Sequence, residues 1–217
     1  MGHRALRTTP SQPAPLQAAR LVALGLCLLA MVAVALATPG TAAAHAQKNR
    51  QGRYAVGVDN LRVAAEFFVN DEDHSADYLL GLAAELRGCI PPENEQEQAK
   101  LKGCTQEAGM FRDQGTDAAV AMIAEQQKIV NKWERKVKPW FRTAPDKRKL
   151  EKGVDAYMQG LAHLLHETHG DLIDAAGMLA DENVDGATDT VAVAQFAIAV
   201  ADKEMTDAVT ALRALLN

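Results

Sequence analysis

Serine is nearly missing from this sequence: two among 217 residues, Ser11 and Ser75. Cysteine is almost as scarce, with Cys27, Cys89 and Cys104 as the whole supply. A serine or thiol nucleophile with its histidine base therefore has few places to sit. No CxxC or CxxCH pair marks a zinc, redox or haem site, and no glycine-rich loop is spaced to cradle phosphate. The di-iron bundle signature Glu-x-x-His is missing too, with Asp71-x-x-His74 the nearest approach. These gaps weigh against an enzyme and leave carboxylate catalysis as the open route. Aromatic residues make up only 5% of the chain, and no stretch of alternating β-branched residues suggests a strand.

What is present begins with an N-terminal leader. Arg4, Arg7 and Arg20, with no acid among them, precede an unbroken apolar run over residues 21–37. Pro39-Gly40 then breaks the helix, and Ala44-His45-Ala46 offers small residues for cleavage before Gln47. This is the layout of a secretory signal peptide over residues 1–46, so a periplasmic or secreted protein is expected. The rival reading is an uncleaved anchor through residues 21–37, at the short end of the spanning range. Leu26 before Cys27 speaks against a lipoprotein signal, and no arginine pair marks the twin-arginine route.

Residues 47–217 are enough for one domain and too few for two. They carry twenty basic and 28 acidic residues, a net −8. The imbalance is uneven. Ten lysines and arginines against three acids fall between Lys128 and Lys152, leaving −15 elsewhere.

Apolar spacing of three and four residues recurs along the whole domain, the mark of amphipathic helices. Tyr54, Val58, Leu61, Ala65 and Phe68 trace one face, and Leu79, Leu82 and Leu86 another. Leu101, Ala108 and Phe111 suggest a third. Ile123, Val130, Trp133, Val137 and Trp140 mark a fourth that ends at Pro139 and the Thr143-Ala144-Pro145 break. Val154, Tyr157, Leu161, Leu164, Thr168 and Leu172 give a fifth. In the last, Val191, Ile198, Met205 and Leu212 repeat every seven residues, with Ala194, Ala201, Ala208 and Leu215 as companions. Such a repeat makes a left-handed seam whose alanines admit a close neighbour. An all-α bundle of about four to six helices is the expected fold.

Cys89 and Cys104 are expected to pair in an oxidising compartment. Gly88, Pro91, Pro92 and Gly103 would let residues 93–102 leave and return as a disulfide-closed polar loop. A straight helix over residues 92–112 is the competing arrangement, and it would hold the two cysteines too far apart for a bond.

Three features are candidates for function. His163, His166, Glu167 and His169 lie three and four apart, a spacing that can chelate Zn²⁺ or Cu²⁺. In the frame set by Leu161 and Thr168, all three histidines point outward, which also suits a solvated face. Asp181, Asn183, Asp185, Gly186 and Asp189 match the start of a calcium loop, but Ala192 stands where the bidentate glutamate belongs. That segment reads equally well as a turn capping the last helix. The third feature is the basic stretch with both tryptophans, Trp133, Lys136, Lys138, Trp140, Arg142, Lys147 and Arg148. Its composition suits anionic headgroups or an acidic protein, while export argues against nucleic acid. The plainer alternative places Trp133 and Val137 in the core and the cations on a solvated face. The sequence thus points to an exported, non-catalytic binding module that works through this basic-aromatic surface and requires no cofactor, with a divalent-metal protein as the alternative.

Overall fold

The chain is described here by a computed structural model covering residues 43–216. Residues 1–42, with Arg4, Arg7, Arg20 and the apolar run 21–37, lie outside the described residues.

The apolar faces condense into four helical arms. α1 is Ala43–Arg87 and α2 is Glu95–Val137, which merges the third and fourth sequence patterns into one helix. After a 3₁₀ turn at Lys138–Trp140, α3 (Ala144–Ala162) continues through a π-helical segment, His163–Thr168, into α4 (His169–Ala180). α5, Val184–Arg213, closes the bundle. The arms alternate up and down. Tyr54 near the start of α1 donates to the Leu212 carbonyl at 2.6 Å, while Arg87 at its end reaches Asp185 at 2.8 Å. Among the described residues there is no strand.

The expected disulfide is not formed: Cys89 and Cys104 are both buried free thiols. The competing helix prevails, and its start explains why. Asn94 accepts from the Glu97 amide at 2.9 Å, and Glu97 reaches back to the Glu93 amide at 2.7 Å, so the first turn is capped reciprocally. The helix then runs straight through Gly103, whose exposed interior position costs only about 1 kcal/mol. Cys104 is carried roughly 14 Å past the helix start at about 1.5 Å per residue. Instead of closing a loop, it packs in the core and donates to Glu85 at 3.7 Å.

The seven-residue seam of α5 is buried along its length, from Val191 through Ile198 and Met205 to Leu212. α3 meets it with glycines at the same interval. A Cβ on Gly153 would lie 2.7 Å from Leu212, and one on Gly160 would lie 2.9 Å from the Met205 side chain and 3.2 Å from its backbone nitrogen. The two helices are thus closer than any larger residue allows. Two tyrosines tie the arms together, since Tyr157 donates to the Leu61 carbonyl at 3.0 Å as Tyr54 does to Leu212. Burial pushes both phenols well above their ordinary range, so both stay protonated donors.

Candidate functional site

Charge sorts along the bundle axis. The Tyr157–Leu61 contact and the contact between His169 and Glu72 bracket its middle. Residues 48–66, 121–163 and 202–216 form the half that holds sixteen basic against ten acidic side chains, net +6. Residues 67–120 and 164–201 form the other half, with four against eighteen, net −14. Separation of this size within residues 47–217, whose net charge is −8, produces a one-sided field.

The positive end is built where α2 turns into α3. Trp133 stacks on Tyr54 with ring centroids 5.5 Å apart, and Phe141 meets the same ring edge-on at 5.4 Å. Trp140 packs half-buried against the core. The tryptophans therefore scaffold this end and do not project from it. Gly57 leaves the room that the Trp133 indole occupies, and the indole Nε1 is buried without an acceptor. Lys138 is held by Glu151 and, at 3.6 Å, by Glu134, and these carboxylates raise its affinity for its proton. Lys136, Arg142, Lys147 and Arg148 are exposed and, among the described residues, form no ion pair. Lys149 and Lys152 continue the surface along α3, and Lys48 and Arg50 stand on α1 beyond Tyr54. Beside them an open groove of about 680 Å³ runs between α3 and α5, walled by Lys149, Lys152, Glu204 and Asp207. Its mixed walls favour neither sign.

The histidine stripe is broken by the π-helical segment. One extra residue in that turn rotates everything after it, so Leu164 and Leu165 both face inward along with Thr168. His169 follows them into the core, contrary to the outward position that α-helical spacing predicts. Its Nδ1 lies 2.9 Å from a carboxylate oxygen of Glu72, whose side chain is 3% exposed. Burial acts against the charged ring, but the Glu72 hydrogen bond and charge, helped by Asp71, outweigh it and raise the His169 pKa. Burial raises Glu72 as well. His163 meets Glu204 at 3.3 Å and Glu167 at 3.8 Å, while His166 is exposed. The stripe thus divides between an interior pair and a surface.

In the 181–189 segment the chain turns in three residues. Asp181 ends α4, Glu182 takes a positive φ of 62°, and Asn183 caps α5 by accepting from the Gly186 amide at 3.2 Å. Asp185 and Asp189 already belong to α5, with Asp185 paired to Arg87. Their oxygens do not wrap a common centre. Among the described residues, no group of three or more His, Cys, Asp or Glu side chains is placed to hold a metal ion.

Sequence reasoning missed two features. The Glu72–His169 pair left only the Leu164-Leu165 doublet as a signal, because two adjacent apolar residues on one helix both need burial. The exposed Phe196 lay in plain view between the seam positions of α5. Compared with known proteins, the chain matches no family model, and neither a curated relative nor a solved structure resembles it significantly.

Proposed function

We propose that this chain is an exported, non-catalytic helical bundle that docks on anionic lipid headgroups through its positive end. The observation that carries the reading is the sorting of charge, net +6 in one half and −14 in the other. Lys136, Arg142, Lys147, Arg148 and Lys149 are exposed around the turn from α2 into α3 at that end. Each cation near an anionic surface contributes about 1 kcal/mol, and the attraction falls off within a Debye length. The negative half would keep the rest of the molecule away from the same surface, which favours end-on docking over lying flat. The aromatic cluster of Tyr54 with Trp133 and Phe141 supports the reading because it packs the ends of α1 and α2 together near the turn that carries these cations.

The test is co-sedimentation with vesicles of about one-third anionic lipid at low and physiological salt. The variant K136Q/R142Q/K147Q/R148Q/K149Q leaves the Lys138 bridges intact. It should lose at least about 100-fold in partitioning, and its circular dichroism should stay unchanged. Equal binding by both proteins would refute the reading. Salt-sensitive capture of an acidic protein, with no vesicle binding, would replace the lipid by that partner.

A further inference from the structure

α5 carries a second heptad seam on the side away from the core. Asp189, Ala192, Phe196, Ala199 and Lys203 follow one another at intervals of three and four. They are displaced by two residues, about 200° around the helix, from the buried line that contains Val191, Ala194 and Ile198. Phe196 is 73% exposed and the neighbouring Val193 60%, while Ala192 and Ala199 are exposed beside them. With both faces apolar, Val184–Leu216 passes as a membrane span by length and composition, although α1, α3 and α4 pack against its inner seam. A solvated polar face would be the normal counterpart of a buried one, and an exposed aromatic with flanking valines marks a contact surface.

The arrangement of charge selects the occupant. Asp189 lies seven residues before Phe196, and Lys203 seven residues after it. We infer that a second copy of this chain docks here, its α5 antiparallel to the first and the two Phe196 rings at the twofold axis. Residues equally distant from Phe196 then face each other across the contact. Asp189 meets Lys203 of the other copy at both ends. Small residues meet large ones, Ala192 against Val200 and Ala199 against Val193, and the alanines let the helices approach closely. Asp189 has no hydrogen bond or ion pair among the described residues, and Lys203 already holds Asp207 at 2.5 Å, so the incoming carboxylate completes a three-charge cluster. At the scale of the molecule, the same operation lays the half at +6 over the half at −14. A parallel pairing would set like halves side by side and gain none of this. The pairing face is a different one from the positive end, and the inference does not rest on lipid docking.

Sedimentation equilibrium on the protein as the host leaves it, with or without residues 1–46, tests the pairing. The wild type should be dimeric at roughly 100 µM. F196D should raise the dissociation constant by at least about 30-fold, the scale of a central aromatic contact. D189K should weaken association about tenfold and K203D similarly. The double variant D189K/K203D should return to within about threefold of wild type, because the two charges exchange places across the axis. Since these positions are exposed, helical content should not change, and melting measured well below the dissociation constant of the dimer should stay close to that of the wild type. A monomeric wild type, a dimer indifferent to F196D, or a double swap no better than either single one would each overturn the inference.

Discussion

Glu72 and His169, 97 residues apart in sequence, meet at 2.9 Å in the middle of the bundle, Glu72 on α1 and His169 on the first turn of α4. The pair joins two arms at the level where charge changes sign. Phe111 on α2 packs beside the imidazole at 6.0 Å between ring centroids, and the Gly115 backbone adds a further hydrogen bond to it. Three arms thus meet at one titratable side chain.

This pair should make stability fall as pH rises. A raised histidine pKa stabilises the fold fully below about pH 6.5, its unfolded value, and the contribution is lost as pH passes the folded value. Glu72 is raised too, so its ionisation also disfavours the folded state with rising pH. In E72Q the ring keeps its burial and loses its partner. Denaturant unfolding should then show a cost of about 3 kcal/mol near pH 6 and a flatter or inverted trend toward pH 8.5. Asp71 and Asp73, also raised by burial, remain in both proteins and cancel in the comparison. Parallel pH profiles would sink the assignment.

Thr168 sits in the π-helical segment fully buried, and its hydroxyl has no partner. Replacing that hydroxyl by a methyl group removes an unsatisfied polar atom without changing shape. T168V should therefore stabilise the protein by about 1 kcal/mol in urea titration. A loss of the same size would mean that the hydroxyl is satisfied in solution.

Two glycines on helices should respond with opposite signs. G160A forces a Cβ to within 3.2 Å of the Met205 backbone nitrogen, which has no side chain's freedom to yield. It should cost about 1–3 kcal/mol. At Gly81 on α1 nothing lies within 4 Å of the added Cβ, and G81A should gain up to about 1 kcal/mol. Equal effects at both sites would contradict the close approach of α3 to α5.

Cys89 and Cys104 should both react with a thiol reagent once the protein is unfolded, and neither should react readily before. Burial, followed by the nearby Glu85 charge, raises the Cys104 pKa, which starves it of the reactive thiolate. Intact mass of protein prepared without reductant should equal that of the reduced form. A loss of two hydrogens would restore the disulfide and require α2 to start beyond Cys104.

Much of the fold was legible because apolar spacing reports burial directly. The faces containing Tyr54, Val58 and Leu61 and containing Val191, Ile198 and Met205 are buried where their periods place them. What spacing could not reveal was continuity. Glycine and proline near Cys89 and Cys104 suggested a loop, but the cap at Asn94 decides where α2 begins, and a helix tolerates Gly103 at small cost. The candidate site was less legible. A period of 3.6 residues assumes an unbroken α-helix, so the added residue in His163–Thr168, a rotation of about 100°, turned His169 from its expected outward position toward Glu72. The run of cations between Lys128 and Lys152 is visible in the sequence, yet its gathering with others at one end depends on antiparallel arms that bring residues 48–66 and 202–216 beside residues 121–163. Distances along the chain do not encode that neighbourhood.

Between single helices, the packing of α1 against α5 is the most extensive among the described residues, and it joins elements far apart in the chain. During synthesis this has a temporal consequence. Tyr54, Val58 and Phe68 emerge early, but Tyr54 has no acceptor until Leu212 has been made. The domain cannot close its core until α5 has emerged, and until then the nascent chain displays a long apolar helix face to whatever factor meets it first.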